Sequence, residues 1–386
     1  MGLNPGERCA LVMQSDIRAM SIECARMGGI NLSQGICDTP VPPVVLQGAA
    51  DAVMQGANIY THHTGIRELR EAIADKQRRF SGVAFDAERE IVVSAGATGA
   101  MYCAFQALLN PGDEVIVFEP FYGYHVSTLR AVDAVPVFVP LDPASSWSFS
   151  IDDLEAAVTP KSKALLINTP ANPSGKVFSR DELALLAEFA IRHDLFVFTD
   201  EMYEHFVFDG LSHVSMASLP GMRERTITIS GLSKTFSITG WRIGYALCDA
   251  RWAASIGYFN DLFYVCAASP LQAGVTAGLR ELGDDYYLGL SAEYEARRDL
   301  FCAALKEAGL EPHVPQGAYY VLAETVHLPG STARERAMHI LRKTGVASVP
   351  GSAFYHDGGG ENLVRFCFAK EEHILAEACH RLLKLR

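Results

Sequence analysis

Between residue 90 and about residue 250 the chain alternates short apolar runs with helical patterning, and this alternation restricts the fold more than any other feature. Runs at 90–94, 115–118, 135–139, 164–168, 195–199 and 226–230 have the length and β-branched content of strands, and a seventh is expected near 244. Helical patterning fills 97–109, 122–131 and 179–193. In the last of these Ser179 is the N-cap, with Glu182 three residues later as its capping-box partner. Strands joined by helices run largely parallel in one sheet, with helices on both faces. The expected fold class is therefore α/β with a seven-stranded, mostly parallel sheet. From residue 251 the pattern is mostly helical, with a long candidate at 285–308, and 310–386 mixes short strands and helices. The expected division is 1–44, an arm with part of a small domain; 45–284, the large domain; and 285–386, a small C-terminal α+β domain.

In such a sheet ligands bind at the carboxyl ends of the strands, so the residues that follow each strand are the candidates. After 226–230 comes Ser230-Gly-Leu-Ser-Lys234, and Gly240-Trp-Arg242-Ile-Gly244 returns a second cation. A lysine and an arginine separated by small and hydroxyl residues suit an aldehyde cofactor that carries a phosphate. The amine forms a Schiff base, while Arg242, Ser230 and Ser233 hold the phosphate. Pyridoxal 5′-phosphate is that kind of cofactor. Asp200 closes the 195–199 strand and is placed to pair with a protonated pyridine nitrogen. Tyr203 reaches the same side if a helical turn begins there, and Asn172 follows the 164–168 strand; both are candidates for the ring oxygen. Gly96-Ala97-Thr98 stands between a strand and a helix, where backbone N–H groups receive anions. Tyr122 is expected on the pyridine face, with Phe121 the competing aromatic.

Four segments carry a resemblance: Asn168-Thr-Pro-Ala-Asn-Pro-Ser-Gly175, Thr199-Asp-Glu-Met-Tyr203, Ser230-Gly-Leu-Ser-Lys234 with Gly240-Trp-Arg-Ile-Gly244, and Val364-Arg365-Phe366. In order and spacing they resemble the class I/II, fold type I aminotransferases, from about Asn31 to the C-terminus. Ser94-Ala-Gly-Ala-Thr-Gly-Ala-Met-Tyr and Asp113-Glu-Val-Ile-Val-Phe-Glu-Pro-Phe-Tyr122 are most similar to the kynurenine, glutamine and methionine transaminase branch. The resemblance implies that Arg365 clamps the substrate α-carboxylate, a task its planar fork suits, helped by Asn172 and the backbone at Gly35. It also implies a homodimer with shared sites, in which Tyr60 crosses to the neighbour's cofactor phosphate. An N-terminal arm with apolar Leu11, Val12, Ile17 and Met20 would cover another surface. Lys234, once freed by the substrate amine, would move the Cα proton, and Asp200 would keep the ring an electron sink.

The expected reaction is amino transfer from an L-amino acid to 2-oxoglutarate or another 2-oxo acid. Where bacterial aspartate aminotransferases of the same subgroup carry a lysine, this chain has Thr98. Aromatic amino acids, kynurenine, methionine or glutamine are therefore expected over aspartate, against an apolar wall of Ile36, Tyr60, Tyr122 and Phe354. A cysteine-conjugate β-lyase or an aspartate aminotransferase is the alternative on the same cofactor, and a ligand-sensing regulator a remote one. A formal charge of −12 argues against a nucleic-acid partner, and the lack of an 18-residue uncharged apolar run against a membrane span. Nine cysteines, none in a C-x-x-C, point to reduced thiols and a cytoplasmic setting. His62-His63 has no third ligand at metal spacing, so no metal is expected.

Overall fold

In the computed structural model, which describes residues 3, 4, 6, 9 and 15–386, apolar strands covered on both faces build the centre of the molecule. The chain enters through α1 (Asp16–Arg26), β1 (Ile30–Asn31), α2 (Pro43–Met54) and α3 (Arg67–Phe80). Strand and helix then alternate through β2 (Ile91–Ala95), α4 (Gly96–Leu108), β3 (Glu114–Glu119), α5 (Gly123–Ala131), β4 (Val135–Pro140), α6 (Ile151–Ala156), β5 (Ser162–Asn168), α7 (Arg180–Arg192) and β6 (Phe196–Asp200). The large sheet is completed by β7 (Thr226–Gly231) and β8 (Ile243–Leu247). The Ser179–Glu182 capping box opens α7 as the sequence requires.

The sheet order is β2-β8-β7-β6-β5-β3-β4, with β8 alone antiparallel to its neighbours. All seven strands fall where the apolar runs place them. This topology brings the carboxyl ends of β2, β3, β5, β6 and β7 to one edge, and the reversed β8 starts there. Gly244 on β8 lets α4 approach closely: a Cβ at that position would lie 2.2 Å from the Ala97 nitrogen.

The remaining elements are α8 (Ala250–Tyr264), α9 (Ser269–Glu281), α10 (Asp284–Glu307), β9 (Glu311–His313), β10 (Tyr320–Glu324), α11 (Ala333–Thr344), β11 (Val346–Ala347), β12 (Val349–Pro350), β13 (Leu363–Cys367) and α12 (Glu372–Leu382). Strands β12-β13-β10-β9 form an antiparallel sheet, and β11 pairs in parallel with β1. Met20 and Cys24, one turn apart on α1, are buried in the core that these elements share. Of the arm residues named from the sequence, Leu11 and Val12 lie outside the described residues.

Candidate active site

A cavity of about 500 Å³ opens where the strand ends converge. Lys234 lies beyond the end of β7, and its Nζ donates to the Gly35 carbonyl at 2.9 Å. Burial is the largest influence on this amine and pulls its pKa below the ordinary lysine value, with Arg242 acting in the same direction. Arg242 precedes β8 in the left-handed region at φ +57, which costs a non-glycine residue roughly 1–2 kcal/mol. Its guanidinium occupies the space a Cβ on Gly96 would need, at 2.4 Å. Gly96 is therefore the backing for Arg242, while Ala97 and Thr98 line the cavity itself.

Helix α4 begins here with no side-chain cap. Its first N–H groups, the Arg242 guanidinium and the Ser233 hydroxyl, which is buried without a hydrogen-bond partner among the described residues, belong to the cavity that Lys234 lines. Such a cradle of donors fits a phosphate.

Asp200 at the end of β6 accepts from the Met202 N–H at 3.1 Å, and its other oxygen lies 2.8 Å from His125 Nε2 on α5. Tyr203 follows in a turn rather than a helix. Its hydroxyl is 3.0 Å from that of Tyr320, and burial raises the pKa of both phenols. Gly35 must be glycine, because a Cβ there would sit 1.8 Å from the Tyr320 hydroxyl. Tyr122 lines the cavity, with its ring centroid 5.2 Å from that of His125. Phe121 faces the core instead, against Phe138.

Arg365, on β13, is fully buried. Its NH1 donates to Asn172 Oδ1 at 2.7 Å and its NH2 to the Ser33 carbonyl at 2.7 Å, while the Nε lacks a partner among the described residues. The guanidinium lies 4.2 Å from the Tyr320 ring centroid and 4.8 Å from that of Phe354. No carboxylate pairs with it among the described residues, so a buried cation faces the cavity in need of an anion. Asn168 steadies the turn: its Nδ2 donates to the Asp200 carbonyl at 3.0 Å and its Oδ1 accepts from the Asn172 N–H at 2.7 Å.

Residues 28–382 match the family model for aminotransferases of class I and II. The chain belongs to this aminotransferase family. It is 38% identical to the structure of N-succinyldiaminopimelate aminotransferase from Mycobacterium tuberculosis, covering 99% of this chain and 100% of that one with a TM-score of 0.96. The kynurenine–oxoglutarate transaminase of Dictyostelium discoideum is 32% identical, over 94% of this chain and 92% of that protein. The methionine aminotransferase of Escherichia coli is 34% identical, over 95% and 94%. As an aminotransferase of this class, the chain has the fold type I architecture that the four motifs imply.

Within this aminotransferase the cavity gathers Ala97, Thr98, Tyr122, Asn172, Asp200, Tyr203, Ser233, Lys234, Arg242, Gly35 and Arg365. Ser230 is a correction. It lies inside β7, opposite Tyr245, and its hydroxyl donates to Glu204 at 2.8 Å on the far side of the strand. Tyr60 does not line its own chain's cavity and is 79% exposed. Of the proposed apolar wall, Ile36 and Tyr122 line the cavity, whereas Phe354 is packed against Arg365; Ile17, Met101 and Tyr124 supply apolar surface that the sequence reading missed.

His125, Tyr320, Asn168 and Arg18 were also missed; His125 and Tyr320 meet the site through Asp200 and Tyr203, far from them in sequence. Among the described residues one group has metal-ligand spacing, Glu201, Glu204 and His213. The Lys76 ammonium, ion-paired with Glu204, already supplies the cation there.

Proposed function

We propose that the protein is a pyridoxal-phosphate-dependent aminotransferase that moves the amino group of an L-amino acid to a 2-oxo acid. The observation that carries this reading is a buried guanidinium, Arg365, without a carboxylate partner among the described residues, in the same cavity as a lysine whose pKa burial has lowered. When bound, the cofactor supplies an aldehyde and an electron-accepting ring that makes the substrate Cα–H acidic. Arg242, Ser233 and the α4 N-terminus at Gly96, Ala97 and Thr98 hold its phosphate. Asp200, oriented by His125, would keep a proton at the ring nitrogen, Tyr122 would pack against the ring, and Tyr203 and Asn172 would donate to the ring oxygen. Arg365, Asn172 and the Gly35 backbone seat the α-carboxylate. Lys234 would take the Cα proton of the bound amino acid, a task that suits an amine whose pKa burial lowers.

The donor side chain would meet Ile17, Ile36, Met101 and Tyr122 along the cavity wall, with Thr98 and no cation in the α4 turn. We therefore propose aromatic amino acids, kynurenine, methionine or glutamine over aspartate. The relatives named for kynurenine and methionine support that choice, and the one named for N-succinyldiaminopimelate widens it to longer donors. A homodimer is proposed from Tyr60, which would reach the phosphate of the other subunit, and from the exposed apolar side chains of Ile59, Tyr258 and Leu262. Residues 45–284 are proposed as the cofactor-binding unit, and the nine free cysteines support a reducing, cytoplasmic setting.

The test is a panel of amino acids with 2-oxoglutarate, following the new amino acid formed, alongside pyruvate and ammonia release from a cysteine conjugate. Amino transfer is expected to dominate; elimination without transfer would replace this reading with the β-lyase one.

A further inference from the structure

The cavity of this acidic chain is lined by four basic side chains, Arg18, Lys234, Arg242 and Arg365, against one carboxylate, Asp200. Three of them have roles in the reading above, and the inference drawn here rests on that reading. Arg18 is left over. It stands in the first turn of α1, which Ser15 caps by accepting from the Ile17 N–H at 3.2 Å. Asp16, the acid nearest to it on the helix, is ion-paired with Arg334 at 3.0 Å, and Glu23 with Arg26 at 2.8 Å. Arg18 itself has no side-chain partner among the described residues.

Its position relative to Arg365 follows from a short chain of contacts. The Arg365 NH2 donates to the Ser33 carbonyl at 2.7 Å, and the Ser33 hydroxyl lies 3.2 Å from that of Ser21. Ser21 and Arg18 are three residues apart on α1, so they share a face and are offset by about 4.5 Å along the axis. Arg18 is thus one helical turn outward from the contact that backs the α-carboxylate clamp, on the wall formed with Ile17 and Ile36.

We infer that Arg18 is the specificity-determining residue for substrates with a second, distal carboxylate: five-carbon or longer dicarboxylates such as 2-oxoglutarate and glutamate. With the α-carboxylate on Arg365, the side chain passes the apolar wall and ends at the Arg18 guanidinium, which matches a carboxylate with two parallel hydrogen bonds. The same site then accepts apolar donors in one half-reaction and a dicarboxylic acceptor in the other, because the cation stands at the rim and not beside the ring.

The experiment compares the wild-type holoenzyme with Arg18→Ala and Arg18→Lys, using methionine as donor and either 2-oxoglutarate or pyruvate as acceptor. The ratio of kcat/KM for 2-oxoglutarate to that for pyruvate is expected to fall roughly tenfold or more in Arg18→Ala, the loss expected for a hydrogen-bonded charge, with Arg18→Lys intermediate. An unchanged ratio overturns the inference, including the case in which both rate constants fall together. Calorimetric binding of glutarate and of butyrate, neither of which accepts an amino group, is measured in parallel. A selective loss of glutarate affinity in Arg18→Ala supports the role of Arg18, and an equal effect on the two acids refutes it. Absence of amino transfer in the wild type would count against the proposed function alone, and the binding comparison would still decide Arg18.

Discussion

His125 Nε2 lies 2.8 Å from Asp200 Oδ2, joining the first turn of α5 to the end of β6 beneath the cavity. The imidazole is buried and stands edge-on to the Tyr122 ring. One contact therefore fixes both the acid proposed for the cofactor nitrogen and the aromatic proposed for its face. Asp200 spends its other oxygen on the Met202 N–H, so neither oxygen is free to swing away.

Asp200→Asn is expected to retain cofactor but slow Cα proton removal by roughly 10²-fold or more, since a preorganised charge partner is lost. His125→Phe removes one hydrogen bond to a charged group and is expected to cost about tenfold. Single-turnover absorbance of the holoenzyme with methionine reads both. Equal effects of the two substitutions would show that His125 does more than orient the carboxylate.

The carboxylate clamp has its own signature. Arg365→Ala is expected to lower kcat/KM for every amino donor by roughly 10²-fold or more, irrespective of side chain, because each donor presents the same α-carboxylate. Asn172→Ala is expected to weaken the same step less, as Arg365 keeps its bond to the Ser33 carbonyl. A donor-dependent loss in Arg365→Ala would move this arginine to the side-chain subsite.

Much of this arrangement was legible before any coordinates. Apolar runs located most of the strands, because a strand covered on both faces, as β3, β5 and β6 are, leaves an apolar record, and the strand ends then pointed to Asp200, Asn172 and Lys234. What stayed hidden depends on side-chain direction or on distant partners. Ser230 and Ser233 look alike in sequence, yet Ser230 is still inside β7 and faces Glu204 across the sheet, while Ser233 lies beyond the strand's last pair and turns to the cavity. Tyr320 and His125 meet Tyr203 and Asp200 across 117 and 75 residues, which no local pattern records.

Acid sensitivity follows from His205, packed between Phe80 and Tyr287 at centroid distances of 4.4 and 4.5 Å. Burial, with the Lys76 charge adding to it, pulls its pKa from 6.5 to about 3. The unfolded chain therefore binds a proton below about pH 6.5 that the native protein refuses until about pH 3, so stability falls with pH across that window, by about 1.4 kcal/mol per pH unit. Between pH 7 and pH 5, denaturant unfolding of the wild type is expected to lose about 2 kcal/mol more than that of His205→Phe. Parallel pH profiles for the two proteins would contradict this.

Subunit sharing is open to complementation. If the proposed dimer shares its sites, the Lys234→Ala and Tyr60→Ala proteins are each expected to have little activity, and mixing them after mild denaturation should restore part of it, since one site of each hybrid would regain both residues. Sedimentation as a monomer at assay concentration, or no recovery in verified hybrids, would remove Tyr60 from the site.

The central claim is that Lys234 holds the cofactor. The direct measurement is borohydride reduction of the holoenzyme followed by peptide mass spectrometry. A pyridoxyl mass on the peptide containing Lys234, absent in Lys234→Ala, is the predicted result; a stable pyridoxyl mass on another lysine, or the same labelling in Lys234→Ala, would contradict it.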